Sequence, residues 1–260
     1  MRWLERLIGS RATRRDLLVE ARAASEAGDY AKALSLWEPL AHAGVARAQN
    51  NIGVCFSNGL GVERDLILAI RWLSLAAEGG DPLGQRNLAT AYLNGFGVAR
   101  DGVRAAELYR AAAEQVDAPA QDLLSWMLLE GDAIETDLGE AHRWALAAAG
   151  NGVAAAMTRL GMLYHGAIGV ERDPAIAAAW WRRGAERGDA DAQAMLGAAH
   201  HLGSGIPVDQ VAALAWLLRA EAGGSTLAAP FLEPVRAALS PEEIAKAERR
   251  SQLALPSAPS

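Results

Sequence analysis

The stretch GLGVERDLILAIRW, residues 59–72, joins a glycine-rich loop to the start of an amphipathic helix. The pattern returns every 36 residues, as GFGVARDGVRAAEL (95–108), GDAIETDLGEAHRW (131–144), AIGVERDPAIAAAW (167–180) and GSGIPVDQVAALAW (203–216). A fixed period of this length is the signature of a repeat protein, in which each unit is one supersecondary motif. The stretch is therefore a structural unit used five times, and nothing sets one copy apart as a phosphate-binding loop.

Two helices are predicted in each unit. The second helix follows an aspartate, and this column consists of Asp65, Asp101, Asp137, Asp173 and Asp209. A carboxylate just before an apolar-periodic run is typical of an N-cap, since it accepts backbone N–H groups of the first turn. Seven residues later stands the column Trp72, Leu108, Trp144, Trp180 and Trp216, which we expect to fill the core between successive hairpins.

The first helix of each unit is indicated by a small-residue column, Gly53, Ala89, Ser125, Gly161 and Gly197. Three residues further on stand Phe56, Tyr92, Leu128, Tyr164 and His200. Apolar and small residues at spacings of three and four predict one buried helix face. No single hairpin could bury its apolar faces alone, so neighbouring units must stack. The predicted fold class is an all-α solenoid of about six helix-loop-helix repeats of 36 residues.

The predicted domain organisation has five parts. Residues 1–15 form an arginine-rich segment whose apolar residues could share one face of an amphipathic helix. Residues 10–45 form a first repeat with the tight turn of a tetratricopeptide unit. Residues 46–225 form the five long-loop repeats, and residues 226–252 form C-terminal capping helices. Ser240, Pro241 and Glu243 predict a capping box in the closing helix. The tail, residues 253–260, is expected to be disordered.

Composition narrows the class of function. The net charge of −6 makes nucleic acid an unfavourable partner. The one cysteine, Cys55, excludes an internal disulfide framework and favours a reducing compartment. No apolar run is long enough for a membrane span, and the N-terminus lacks the apolar core of a secretory signal. We therefore expect a cytoplasmic protein.

The repeat resembles the Sel-one-like repeat, a longer-looped relative of the tetratricopeptide repeat. The resemblance lies in the pattern A-x-x-x-L-G-x-x-Y-x-x-G-x-G-V-x-x-D-x-x-x-A-x-x-W-x-x-x-A-A-x-x-G, which residues 48–80 follow with Ile52 and Phe56 as substitutions. It implies a right-handed α/α superhelix that acts as an adaptor and holds protein partners on its concave face. The unit at 118–153 departs from the pattern, since Ser125 replaces the helix glycine and Ala133 the second loop glycine.

Enzymatic chemistry finds no support in the motifs. A minority of relatives in the family are described as penicillin-binding or β-lactam-hydrolysing and are rich in paired cysteines. This chain has one cysteine and no Ser-x-x-Lys, Gly-x-Ser-x-Gly or His-Glu-x-x-His motif. We expect no catalytic activity and no cofactor; a cell-wall or β-lactam-related hydrolase stays as the alternative, beside a membrane-associated regulator acting through residues 1–15.

Metal or thiol chemistry is also not expected. His200 and His201 are adjacent on one helix and point about 100° apart, so they do not share a metal readily. His165 and His201 occupy one column in neighbouring repeats, where a separation of ~10 Å is expected. Cys55 shares its column with alanine, leucine and methionine, which predicts a small buried hydrophobe.

The predicted partner is a protein or an extended peptide, held on the face that the first helix of each repeat presents to the concave side. Analogy with tetratricopeptide geometry predicts which columns of the first helix form this face. Trp126 is a candidate anchor for the partner. The alternative is that Trp126 only compensates for the departures of the unit at 118–153 from the repeat pattern. The full set of candidate contacts is Arg47, Asn50, Ser57, Asn58, Arg86, Thr90, Asn94, Asp122, Trp126, Glu130, Thr158, Met162, His165 and His201.

Overall fold

The computed structural model of the protein describes residues 13–255, and within that range it is helical and contains no strand. In chain order the first helices are α1 (Arg14–Glu26), α2 (Tyr30–His42), α3 (Ala46–Asn58), α4 (Leu66–Glu78), α5 (Pro82–Asn94), α6 (Gly102–Glu114) and α7 (Ala118–Glu130). They are followed by α8 (Leu138–Gly150), α9 (Ala154–Gly166), α10 (Pro174–Glu186), α11 (Ala190–Leu202), α12 (Gln210–Ala222), a 3-10 turn (Thr226–Ala228), α13 (Ala229–Ala237) and α14 (Pro241–Ser251).

The helices α1 to α12 all have the same length, 13 residues. The predicted N-caps explain where the second helix of each repeat begins. Asp65, Asp101, Asp137, Asp173 and Asp209 each accept a backbone N–H from the first turn, at 2.8–2.9 Å. At the far end of α3, Gly59 takes a left-handed φ of 69°, which turns the chain towards the next cap.

A second set of caps begins the first helix of three of the five long-loop repeats, and the sequence columns described above do not include it. Asp81, Asp117 and Asp189 each accept a backbone N–H from the following turn, at 2.8–3.0 Å. Val45 and Val153 stand at the equivalent positions of α3 and α9 and make no side-chain cap. These two valines interrupt the aspartate column, which conceals it from periodicity analysis.

The chain forms two compact units, one running up to Met127 with Gly131–Glu135, the other comprising Leu128–Glu130 and Thr136 onwards. In the first unit Trp37, Leu40 and Ile52 are buried in a cluster to which α1, α2 and α3 contribute. In the second, Met157 and Leu160 belong to one buried cluster, and Trp181 and Leu196 to the next.

The tryptophan column proved to be less buried than expected. Trp72, Trp144, Trp180 and Trp216 are only partly buried, and the more deeply buried column is the next residue along, Leu73, Tyr109, Ala145, Trp181 and Leu217. The predicted position between hairpins is nevertheless correct. Trp180 packs against a cluster drawn from α8 and α9, and Trp216 against one drawn from α10 and α11. The rings of Trp180 and Trp216 thus cover the edge of the preceding core.

The alanine that replaces the second loop glycine at position 133 is accompanied by a glycine at position 102, the first residue of α6. In the regular repeats the second loop glycine lies against the first residue of an earlier helix: a Cβ on Gly97 would stand 2.5 Å from the Leu66 carbonyl oxygen. Where Ala133 replaces that glycine, the facing residue is Gly102, whose own added Cβ would stand 2.3 Å from the Ala133 Cβ. The glycine has changed sides, so the close approach of loop and helix is kept.

The C-terminal helices α13 and α14 follow the last repeat. The predicted capping box is present: Glu243 N–H donates to the Ser240 hydroxyl, and Ser240 N–H donates to the Glu243 carboxylate. Arg219 of α12 donates to the backbone carbonyls of Arg250 and Leu253 at the other end of α14. Residues 1–12 of the arginine-rich segment, and residues 256–260 of the tail, lie outside the described range.

Candidate partner-binding groove

The candidate contacts are carried by first helices of the repeats and fall in both units. In the first unit Arg47, Asn50, Ser57 and Asn58 lie on α3, Arg86, Thr90 and Asn94 on α5, and Asp122 and Trp126 on α7. In the second unit Glu130 ends α7, Thr158, Met162 and His165 lie on α9, and His201 lies on α11. Two cavities in the first unit bring several of them together.

The larger cavity, about 630 Å³, is formed by α1, α2, α3 and α5. Its apolar lining comprises Leu18, Val19, Tyr30, Trp37, Val54, Cys55, Leu60 and Leu83. The polar lining comprises Arg15, Arg22, Ser25, Glu26, Arg47 and Asn51. A volume in this range accepts a large side chain or a small ligand, since binding pockets typically occupy about 300–1,000 Å³.

A second cavity of about 260 Å³ adjoins the first, because Val54 lines both. Its other lining residues are Ser57, Asn58, Arg64, Leu66, Ile70, Leu73, Asn87, Thr90, Ala91 and Phe96. We call the two cavities together the N-terminal groove. Of the candidate contacts, Arg47, Ser57, Asn58 and Thr90 line it. Side chains of neighbouring repeats therefore line both cavities, and Val54 is the lining residue that the two share.

Two arginines among the candidates also connect neighbouring helices. Arg47 Nε donates to Asp81 Oδ1 at 2.7 Å, and Arg86 Nη1 to Asp117 Oδ1 at 3.1 Å. Both carboxylates are N-caps and are about 6% exposed, whereas the Arg47 side chain is 45% exposed and that of Arg86 is 24% exposed. Each arginine thus neutralises a buried charge, and substituting it affects folding as well as any partner contact.

Two of the candidate contacts are buried by polar networks. Asn50 is 2% exposed: its amide donates to Asn51 Oδ1, and its own Oδ1 accepts from Asn87 at 2.8 Å. Thr158 is 5% exposed and donates to the Asp189 N-cap at 2.8 Å. Such positions connect helices and leave little surface for a partner, so neither is included in the surface that we propose below.

Trp126 and Met162 occupy one column, each within its own unit. The side chains are large and apolar yet 37% and 38% exposed. Exposed aromatic and thioether side chains are common anchors at protein interfaces. Asn58 and Asn94 are exposed as well, with their amides donating to backbone carbonyls one helical turn earlier.

The histidines of the second unit contact aromatic rings and polar side chains. The His165 ring lies 5.4 Å from that of Trp181, and His201 Nδ1 lies 2.8 Å from Gln210 Oε1. Burial lowers the pKa of His200, and also that of His142 beside Tyr164. Across residues 13–255 no group of three or more His, Cys, Asp or Glu side chains is arranged to hold a metal ion.

The cysteine is buried as predicted, at 2% exposure, and burial raises its pKa to about 11. A thiol with so high a pKa holds little thiolate at neutral pH and is a weak nucleophile. Burial also raises the pKa of Tyr109, whose hydroxyl lies 2.9 Å from that of Thr90. Neither group forms a reactive centre with the side chains around it.

Several groove residues were missed by the sequence analysis, which began its contact columns at α3. Extending the columns one period back, from Val54 and Asn58, leads to Leu18 and Arg22 of α1, and both line the larger cavity. Asn51 was missed because it lies beside the chosen columns, whereas Leu83 stands in the Arg47 column, one period later, and was left out of the candidate set. Extending the columns 36 residues towards the N-terminus could therefore have predicted the lining residues of α1. The contribution of residues beside the columns becomes visible only in the structure.

None of the helices within residues 13–255 has the length and apolar character needed to cross a membrane. The sequence profile of the Sel1 repeat matches five consecutive segments, 46–81, 82–117, 118–153, 154–189 and 190–225. No curated protein matches the chain.

Solved structures of Sel1 repeat proteins resemble the chain. A Sel1 repeat protein from Oxalobacter formigenes is 30% identical with a TM-score of 0.81, and the match covers 92% of this chain and 97% of the other. An SLR-fold protective antigen, c5321, from uropathogenic Escherichia coli is 24% identical, with a TM-score of 0.37 over 92% of this chain and 68% of the other. The immunity protein Pa5087 from Pseudomonas aeruginosa is 22% identical, with a TM-score of 0.47 over 80% and 78%. The first of these confirms the solenoid prediction.

Proposed function

Because the chain belongs to the Sel1 repeat family, we propose that it is an adaptor that binds a protein or an extended peptide in the N-terminal groove. Proteins of this family are generally protein-interaction scaffolds, and their solenoid is typically non-catalytic. Membership of the family supports the proposed mode of action, and the lining of the groove supports the proposed location.

The observation that carries the proposal is that Val54 lines two cavities formed between neighbouring repeats. An apolar recess that opens between repeats gives a partner side chain somewhere to be buried, which is the usual source of affinity at an interface. Beside it, Ser57, Asn58 and Thr90 supply hydroxyl and amide groups that fix the register of an extended chain. Binding is the whole mechanism, and no reaction is needed.

Further contacts outside the groove belong to the same proposal. Asn94, Asp122 and Trp126 follow in the first unit, and Glu130, Met162, His165 and His201 are candidates in the second. Cytoplasmic residence remains part of the proposal as well, supported by the single buried cysteine.

The proposal is tested by partner capture with matched variants. Val54→Arg places a long charged side chain in the shared wall of both cavities, and Val103→Arg makes the same change on α6, at a residue that is 57% exposed and lines neither cavity. Proteins captured from native cells by the wild type and by Val103→Arg, and lost with a folded Val54→Arg variant, support the proposal. Equal capture by all three would place the binding surface elsewhere.

A further inference from the structure

We propose that the N-terminal groove is specific for an acidic peptide segment that carries a large apolar anchor residue. This inference rests on the proposed function, and it adds the chemistry of the partner. The protein as a whole has a net charge of −6. The lining of the groove has the opposite balance: it includes Arg15, Arg22, Arg47 and Arg64, and one acid, Glu26. The arginines remain in excess when the buried Asp81, which pairs with Arg47, is counted as well.

The guanidinium groups retain donors for a partner. Arg22 bonds to Glu26, Arg47 to Asp81 and Arg64 to the Ser57 carbonyl, and in all three contacts the donor is Nε. Since a guanidinium has five N–H donors, the terminal Nη groups of these arginines stay available. Arg15 forms no ion pair with any residue of the described range. Carboxylates are the groups that match such donors best, because they accept two parallel hydrogen bonds.

The apolar part of the lining determines the second feature of the partner. Leu18, Val19, Val54 and Leu83 lie among the arginines in the larger cavity, and Val19 is 62% exposed. A carboxylate-rich chain without an apolar side chain would leave this surface uncovered. A membrane of anionic lipids would supply the charge, but a planar surface does not fill a recess between helices. A peptide with an anchor residue satisfies both features at once.

The test is a selection from a random-peptide display library on the immobilised full chain, with sequencing of the peptides retained. Four proteins are compared: wild type, Arg15→Gln/Arg22→Gln, Arg100→Gln/Arg104→Gln and Val54→Arg. The two double variants change the net charge equally. The second alters Arg104 of α6 and Arg100 of the preceding loop, and neither of these residues lines either cavity. Arg22 and Arg104 both lie in exposed ion pairs, so these changes cost little stability.

We expect the wild type to enrich peptides in which Asp and Glu flank Trp, Phe or Leu. A consensus peptide should bind about fivefold more weakly to Arg15→Gln/Arg22→Gln, and with the wild-type affinity to Arg100→Gln/Arg104→Gln. Its affinity for the wild type should fall with added salt.

Three kinds of result would overturn the inference, and the third has two forms. The first is a neutral or basic consensus, and the second is an acidic one that the Arg15→Gln/Arg22→Gln variant retains equally well. The third is no enrichment on the wild type, or binding to phosphatidylserine vesicles that Arg15→Gln/Arg22→Gln abolishes. The Val54→Arg protein separates this inference from the proposed function. If the wild type selects basic peptides and Val54→Arg no longer binds them, the acidic specificity is wrong but binding in the groove stands. If Val54→Arg still binds the selected peptides, both the specificity and the groove are wrong.

Discussion

Val116 has a backbone conformation that β-branched residues rarely adopt. Its φ is 65°, and its side chain is 63% exposed. In all the remaining repeats the equivalent residue is a glycine with positive φ: Gly44, Gly80, Gly152, Gly188 and Gly224. A left-handed conformation costs a residue with a Cβ about 1–2 kcal/mol, and the exposed valine has little packing to offset that cost.

We therefore expect Val116→Gly to raise the free energy of unfolding by about 1 kcal/mol, measured by urea denaturation. Val103→Gly is the matched control, because Val103 is also an exposed valine but lies within α6. There the glycine should lower stability by about 0.5–1 kcal/mol. Equal losses from both substitutions would show that Val116 is not strained.

His200 stands where two of the other repeats have a tyrosine and one a phenylalanine. Burial is the main cause that lowers its pKa; Asp209 and the Pro207 carbonyl act in the opposite direction, and Arg182 and Arg250 add to the lowering. The unfolded chain, whose histidines titrate near pH ~6.5, thus binds the proton more tightly than the folded protein does. The stability contributed by neutral His200 is present above that pH and is lost as the pH falls through the folded-state pKa.

Replacing His200 with phenylalanine should make the free energy of unfolding less sensitive to pH below about 6.5, because one such proton-binding group is removed. Urea denaturation at a series of pH values between neutrality and mild acid measures the slope. An unchanged slope in the His200→Phe variant would mean that other groups carry the acid sensitivity.

The contact between loop and helix recurs in all five long-loop repeats, and the exchange at Gly102 and Ala133 shows how it tolerates change. A side chain is present on one side of the contact and a glycine on the other. Because the two positions are 31 residues apart in sequence, the compensation is not visible in a single repeat. Helix positions followed from local periodicity, whereas this pairing depended on which loop packs on which helix.

A double-mutant cycle tests the compensation. Gly102→Ala alone should lower the free energy of unfolding by about 1–3 kcal/mol, because its Cβ would overlap that of Ala133. Adding Ala133→Gly should recover at least about 1 kcal/mol of that loss. Additive effects of the two substitutions in chemical denaturation would contradict the proposed exchange.

The ion pairs between helices make a separate contribution to stability. Removing Arg86 leaves the buried Asp117 carboxylate without its counter-charge, so Arg86→Ala should lower the free energy of unfolding by about 1–3 kcal/mol. Arg104→Ala breaks an exposed pair with Glu107 and should cost less than about 1 kcal/mol. Comparable losses in thermal or urea unfolding would show that the pair with Asp117 is no more than a surface contact.

At the scale of the whole molecule, periodicity predicted the repeat, its two helices and the aspartate caps, because these depend on residues close together in sequence. The candidate binding surface stays a prediction, and the burial of its members was harder to predict because the columns describe an average repeat. Asn50 belongs to a column that faces the concave side by analogy, yet Asn87 of the next repeat covers it. The residues that line the groove depend on such contacts between neighbouring repeats, and these differ along the chain.

Site-specific photo-crosslinking in native cells tests whether a partner occupies the N-terminal groove. A benzophenone amino acid is introduced in place of Asn58, which is exposed and lines the smaller cavity, or in place of Val103 as the control. We predict a covalent adduct with one partner protein from position 58 and none from position 103, with the adduct identified by mass spectrometry. An adduct from position 103 alone, or from neither position, would contradict occupancy of the groove.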